Sequence, residues 1–362
     1  MTCLPDGNAI IYCQGAFNTT NGKTGHGLVR FTRRYHVLSV IDSRYSGRDA
    51  GEVLDGTHKN IPIFANLEEA VQSAVSAGND PTHLVVGLAP DGGRLSPEAR
   101  DDVKKAVGFK LNIDIGLHDF LTEDPEMMDL AKTHGVTIRD IRKPLPRGKL
   151  HFFSGKIEEV SCLKIAVLGT DSAVGKRTTA WLLIQALEKL GKKAEMVGTG
   201  QTSWLQGVKY GTIFDSLVND FVSGEIEHAV WTAWKNEDPD VIIIEGQGSL
   251  MNPAYPGGYE ILAAARPDIV VLQHAPARKE YDGFPGYPLH PLSKQIGAVE
   301  YISSKPVVAV TINHEGLELE DIPHVCTAIQ NITGLPAYDV LTDGAGDLAK
   351  RILMFLKKPN EG

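Results

Sequence analysis

The sequence predicts an α/β protein of two domains, each built on a parallel sheet. Short apolar runs alternate with helical patterns from residue 9 onward, a basic Pro/Gly stretch interrupts them once, and a buried run feeding a glycine-rich turn restarts them. A length of 362 residues agrees, since a domain takes roughly 150.

In the first half, residues 9–13, 37–41, 61–64 and 83–88 are apolar and β-branched and read as strands. Asn66, followed by Leu67, Glu68, Glu69, Ala70 and Val71, places a cap and a carboxylate three residues apart, the signature of a helix start. Ser96-Pro97-Glu98-Ala99 opens another helix. Alternation of this kind implies a parallel sheet covered on both faces. Residues 141–149 carry two prolines, one glycine and four cations without apolar period, which marks a linker. The expected division is therefore a Rossmann-like domain over 1–145, a linker over 146–160 and a P-loop NTPase-like α/β domain over 161–362. In the latter, strands are expected at 163–168, 241–244, 269–272 and 307–310, a helix through 180–187, and an amphipathic tail helix at 347–356.

Composition narrows the function. Apolar residues at 42% and charged ones at 22% are globular values. A formal charge of −9 leaves no basic field for nucleic acid or an anionic membrane, so neither is an expected partner. No run approaches the roughly 18 apolar residues of a membrane span, and the opening residues lack the basic start and apolar stretch of a secretory leader. Cys3, Cys13, Cys162 and Cys326 form no CxxC pair or metal-like cluster, as expected of reduced thiols in a cytoplasmic enzyme without a protein-bound metal.

The most specific motif is Gly169-Thr170-Asp171-Ser172-Ala173-Val174-Gly175-Lys176-Arg177-Thr178, between a buried strand and a helix. Glycines let successive N–H groups turn inward, the helix start adds partial positive charge, and Lys176 can reach outer phosphates. Two departures from the usual P-loop bear on chemistry. Five residues, not four, separate Gly169 from Gly175, and Arg177 stands where a magnesium-binding hydroxyl is normal. Thr178 lies about 100° further round the helix. The loop reads as a phosphate grip made of Lys and Arg, suited to a ligand whose phosphates are a handle, such as coenzyme A.

Other strand ends supply further candidates. Gly200, Gln201 and Thr202 form a second loop with hydrogen-bonding side chains, and Glu245 closes a strand before Gly246, Gln247, Gly248 and Ser249. Glu245 is suited to be a general base, a metal ligand or a holder of a substrate amine. Asp215 and Asp220 could bind an ammonium or simply face solvent. His274 is a second candidate base, and Arg278 could fork onto a substrate carboxylate. Residues 283–288, Gly-Phe-Pro-Gly-Tyr-Pro, suggest a loop over the site, while His314 and His324 read as structural. In the first half, Gly15, Gly22, Gly25 and Gly27 do not make GxGxxG, so Asp42 at a strand end is a weak sign of nicotinamide binding.

Taken together, the 169–176 loop, Gly198-Thr199-Gly200-Gln201-Thr202, and Glu245-Gly246-Gln247-Gly248-Ser249 leading to Pro253-Ala254-Tyr255 resemble the D-glutamate N-acetyltransferase-like family. Val40-Ile41-Asp42-Ser43 and the 61–70 segment are similar to that family's first domain, so the likeness spans nearly the whole chain. It implies acetyl transfer from acetyl-CoA to the amino group of an acidic amino acid, D-glutamate foremost, by a homodimer. Gly169-Thr170-Asp171 and Gly175-Lys176 also look like dethiobiotin synthetase, which implies an alternative, a ligase or kinase using ATP with Mg; Arg177 departs from that enzyme's Thr. On the first reading the 170–175 amides, Lys176 and Arg177 hold the donor's phosphates, with its thioester near Gln201 and Glu245. Glu245, Asp220 or His274 takes the proton, amides of 246–248 meet the oxyanion, and Arg278 holds the substrate carboxylate.

Overall fold

A computed structural model of the chain describes residues 5–356, apart from the side chain of Asp91. Cys3 lies outside the described residues. The chain divides into two compact units, Met1–Pro144 with Gln201–Val208, and Leu145–Gly200 with Lys209–Gly362.

The first unit holds a six-stranded sheet: β1 (Gly7–Tyr12), β2 (Tyr35–Ile41), β3 (Ile63–Phe64), β4 (His83–Val86), β5 (Asn112–Ile115) and β6 (Ile138–Asp140). Its order is β3-β2-β1-β4-β5-β6 with every pair parallel, the doubly wound Rossmann order. The central strands are apolar on both faces because helices cover both; Ile10, Ile11, Leu84 and Val85 are fully buried. The cap at Asn66 forms as its spacing requires: Asn66 Oδ1 accepts from Glu69 N at 2.9 Å while Ala65 N donates to the Glu69 carboxylate. Ser96 Oγ accepts from Ala99 N at 3.2 Å.

The second unit holds seven parallel strands: β7 (Leu163–Gly169), β8 (Ala194–Gly198), β9 (Tyr210–Gly211), β10 (Val241–Glu245), β11 (Ile269–His274), β12 (Val307–Ile312) and β13 (Ala337–Tyr338). The order is β13-β12-β11-β7-β10-β8-β9, so β7 is central, and all seven of its residues are buried. The tail helix, Gly346–Leu353, buries Leu348, Ala349 and Ile352.

Two features differ from the sequence-based division. The stretch expected as a linker packs on the second unit: Glu225 accepts from His151 N, and Glu227 accepts from Ser154 N and Ile157 N. Burial alone would raise the Glu227 carboxyl, but these amides hold it below the usual carboxylate range. Two glutamates buried on the helix Asn219–Glu237 need partners, and the preceding chain supplies them. The second feature is Gln201–Val208, which belongs to the first unit. The Arg34 guanidinium lies 3.8 Å from the Trp204 ring centroid, and Gln206 Nε2 donates to Gly27 O and Phe31 O.

Candidate functional site

In the second unit, glycine-bearing turns follow β7, β8 and β10, at the strand ends where open α/β sheets place their ligands. The turn after β7 is shaped by two left-handed residues, Ala173 at φ 52° and Gly175 at φ 103°. Gly175 caps the helix Lys176–Lys189, and an L side chain costs energy in that conformation. The amides of Ala173, Val174 and Gly175 have no protein acceptor among the described residues. That is the state a phosphate cradle requires, since donors must be left over for the ligand.

Lys176 is buried, and its Nζ donates to Asp171 O at 2.7 Å and to Gly248 O at 2.8 Å, so the turn after β10 is fastened to the phosphate loop through this ammonium. Gly246 and Gly248 are small for steric reasons. A Cβ on Gly246 would lie 2.4 Å from Val167 O, and one on Gly248 1.9 Å from Tyr255 O. Thr170 is buried, while Ser172, Arg177 and Thr178 are partly exposed. Gln273, which the sequence reading did not single out, buttresses the loop: its carbonyl accepts from Thr170 N, and its Oε1 accepts from the hydroxyls of Thr179 and Thr311 at 2.5 Å.

Asp171 organises the loop. Its carboxylate is fully buried and accepts from Ser172 N, Asn252 Nδ2, Arg278 Nη1 and Asp282 N, all within 2.8 Å. Apart from Ser172, the partners come from two distant stretches of chain, at 252 and 278–282, which is why no local motif announces this role. Arg278 also donates to Ser172 O and Glu315. Its guanidinium is thus committed to the loop, in place of the substrate carboxylate expected from the sequence.

The remaining candidates fall into three groups. Glu245 is buried at the end of β10; Thr199 N donates to its Oε2 at 3.0 Å, and its Oε1 takes no protein hydrogen bond among the described residues. Gly246 N donates to Val167 O, whereas the amides of Gln247 and Gly248 have no protein acceptor among the described residues. His274 Nδ1 lies 2.9 Å from Thr170 Oγ1, and burial, reinforced by the Arg278 charge, pushes the ring down to about 4. His274 is therefore neutral near pH 7 and a weak base. Asp215 and Asp220 are exposed, the latter in the first turn of the helix Asn219–Glu237, where a carboxylate favours the helix dipole. Ser249 is buried, and its Oγ has no partner among the described residues. Gln201 and Thr202 do not form the open loop expected from the sequence. They begin the helix Gln201–Leu205 within the first unit, Gln201 packing against Gly116 and Thr202 Oγ1 lying 2.8 Å from Thr24 Oγ1.

In the first unit, the nicotinamide reading loses its acidic anchor. Asp42 is fully buried and accepts from Phe17 N and from the Arg44 guanidinium. No group of three or more His, Cys, Asp or Glu among the described residues could hold a metal ion, and no described helix is long and apolar enough to cross a membrane.

A seven-stranded parallel sheet with this loop on its central strand, alongside a sheet of Rossmann order, defines a two-domain α/β protein with a P-loop. The comparisons with known proteins give the same architecture. A family model described as a domain of unknown function, the DUF1611 P-loop domain, matches residues 151–349, and the corresponding N-terminal Rossmann-like domain matches 43–144. The chain belongs to the DUF1611 family. It is similar to two curated proteins named D-glutamate N-acetyltransferase. One, from Tritonibacter scottomollicae, is 30% identical over 78% of this chain and 85% of that protein. The other, from a Pseudoalteromonas species, is 29% identical over 74% and 80%. A crystal structure of a DUF1611 family protein from Anabaena variabilis superposes with a TM-score of 0.87 at 28% identity, covering 96% of this chain and 99% of that one.

Proposed function

We propose that this protein is an N-acetyltransferase that moves an acetyl group from acetyl-CoA to the amino group of an acidic amino acid, D-glutamate foremost. The observation that carries the reading is the likeness, over about three quarters of the chain, to two proteins named for that reaction. The site supports it. The loop offers unbonded amides and a buried lysine to an anionic ligand, while Arg177 occupies the position at which a P-loop hydroxyl normally meets magnesium.

On this reading the amides of Ala173 to Gly175 and Lys176 hold the donor's phosphates, with Arg177 contributing charge. Glu245 takes a proton from the acceptor ammonium through Oε1, since Oε2 already accepts from Thr199 N. The freed amine attacks the thioester carbonyl carbon. The amides of Gln247 and Gly248 meet the oxyanion, the C–S bond breaks, coenzyme A leaves as a thiolate that takes up the second proton, lost by nitrogen after attack, and Glu245 returns the first to solvent. His274, neutral and hydrogen-bonded to Thr170, orients the loop.

Acetyl-CoA incubated with D-glutamate is expected to release free thiol in equal amount to N-acetylglutamate, undiminished by chelator. Absence of thiol with any amino acid contradicts the reading. Magnesium-dependent ADP release would instead favour the second reading, an ATP-using ligase or kinase, which rests on the same loop and on Glu245.

A further inference from the structure

Two segments beside the phosphate loop carry exposed aromatic rings, and both are pinned to that loop. The first is 249–257. Ser249 N donates to Tyr255 O and Gly257 N to Ser249 O, Asn252 Oδ1 accepts from Ala254 N and Tyr255 N, and Asn252 Nδ2 reaches the Asp171 carboxylate. The second is a tongue closed by Tyr281 N to Tyr287 O and Leu289 N to Lys279 O, tied to Asp171 through Asp282 N. Their rings meet edge to face: Tyr255 and Phe284 at 6.2 Å between centroids, Phe284 and Tyr287 at 6.4 Å. Despite these contacts Tyr255 remains 56% exposed and Tyr287 55%. Three rings in edge-to-face contact, on segments fastened by backbone hydrogen bonds, make a contiguous aromatic face open to water, the kind of patch that marks a binding site.

The geometry points to a stacking platform for the adenine of the ligand whose phosphates occupy the loop. Asp171 is the common anchor, so one carboxylate fixes the phosphate cradle, the Tyr255 segment and the Phe284–Tyr287 tongue together. A ligand recognised here carries a diphosphate joined to a purine nucleoside, which describes both coenzyme A and ATP. Stacking on an aromatic face needs no hydrogen-bonding partner, and neither tyrosine has to order a flexible chain on binding. The inference deepens the acetyltransferase reading and rests on it for the phosphate position.

The test compares ligands with and without the base. Titrations of the full chain with ADP, acetyl-CoA, acetyl-pantetheine and inorganic pyrophosphate are run on wild type, Tyr255→Leu, Tyr287→Leu, the double variant and the two Tyr→Phe variants. The double Leu variant is expected to weaken ADP and acetyl-CoA roughly tenfold or more, with pyrophosphate and acetyl-pantetheine unchanged and both Phe variants near wild type. Unchanged ADP affinity in the double variant overturns the platform. So does an equal loss for pyrophosphate, which would mean the loop itself was disturbed. A change in oligomeric mass without a change in ADP affinity also overturns it, assigning the rings to contact between copies. Wild type that binds ADP but releases no thiol from acetyl-CoA refutes the acetyltransferase and leaves the platform standing. Wild type that turns over acetyl-CoA with an ADP affinity indifferent to both rings does the reverse.

Discussion

Each unit sends a glycine-rich turn from a central strand into a helix with a lysine at its start, and the two turns are built for different ends. After β1, Gly22-Lys23-Thr24 imitates a P-loop ending, yet the amides around it are answered within the protein at Phe17 N by Cys13 O and Asp42, at Gly22 N by Thr19 O, and at Gly25 N by Gly87 O. After β7, three consecutive amides have no protein acceptor among the described residues, and Lys176 bridges two turns. Both turns end in Gly-Lys at the start of a helix. What separates a phosphate cradle from a structural turn is where its donors are already bonded, and that depends on distant chain.

The buried carboxylates under the two turns offer the largest test of this contrast. Asp171 holds four donors, one of them Arg278, whose side chain is only 14% exposed, whereas Asp42 is paired with Arg44, at 39%. Asp171→Ala is expected to cost about 3–5 kcal/mol, because the donors of Ser172, Asn252 and Asp282 lose their acceptor and Arg278 keeps only the exposed Glu315 as a carboxylate partner, and Asp42→Ala clearly less. Paired chemical denaturation curves measure both, and equal losses would erase the distinction.

A second comparison replaces the lysines. Lys176→Ala is expected to lower kcat/KM for acetyl-CoA about a hundredfold, the scale of one preorganised cationic donor, while Lys23→Ala stays within about twofold. Thiol release under steady-state conditions reads both. A loss of similar size at Lys23 would place a working phosphate site in the first unit.

His274 gives the smallest effect and a definite sign. Its folded-state pKa, about 4, lies below the ordinary value of 6.5, so the unfolded chain binds more protons between those limits and stability falls as the pH is lowered through them. This one ring accounts for about 2 kcal/mol lost between pH 7 and pH 5. His274→Gln should flatten that part of the pH–stability curve; an unaltered slope would mean the ring is not kept neutral by burial.

Sequence reading recovered what local physics decides. Apolar runs became the long strands, the Asn66 and Ser96 spacings became helix caps, and the β7 turn became an open loop of amides. Tyr210–Gly211, Ala337–Tyr338 and Ile138–Asp140 are not legible, because so short a run has no period, whereas the equally short Ile63–Phe64 is legible from the apolar residues before it. Arg278 reads from the sequence as the holder of a substrate carboxylate, and nothing in its neighbourhood says that its guanidinium meets Asp171 instead. Gln201 and Thr202 lie directly after a strand end, and only the packing of Trp204 on Arg34 reveals that they continue as a helix of the first unit.

The central claim is that the turn after β7 grips the phosphates of an acyl donor, and a crystal structure of the protein with acetyl-CoA tests it most directly. The account predicts phosphate oxygens within hydrogen-bonding distance of the amides of Ala173, Val174 and Gly175, with Lys176 Nζ turned onto them. Coenzyme A bound elsewhere, with those amides still facing water, would contradict it.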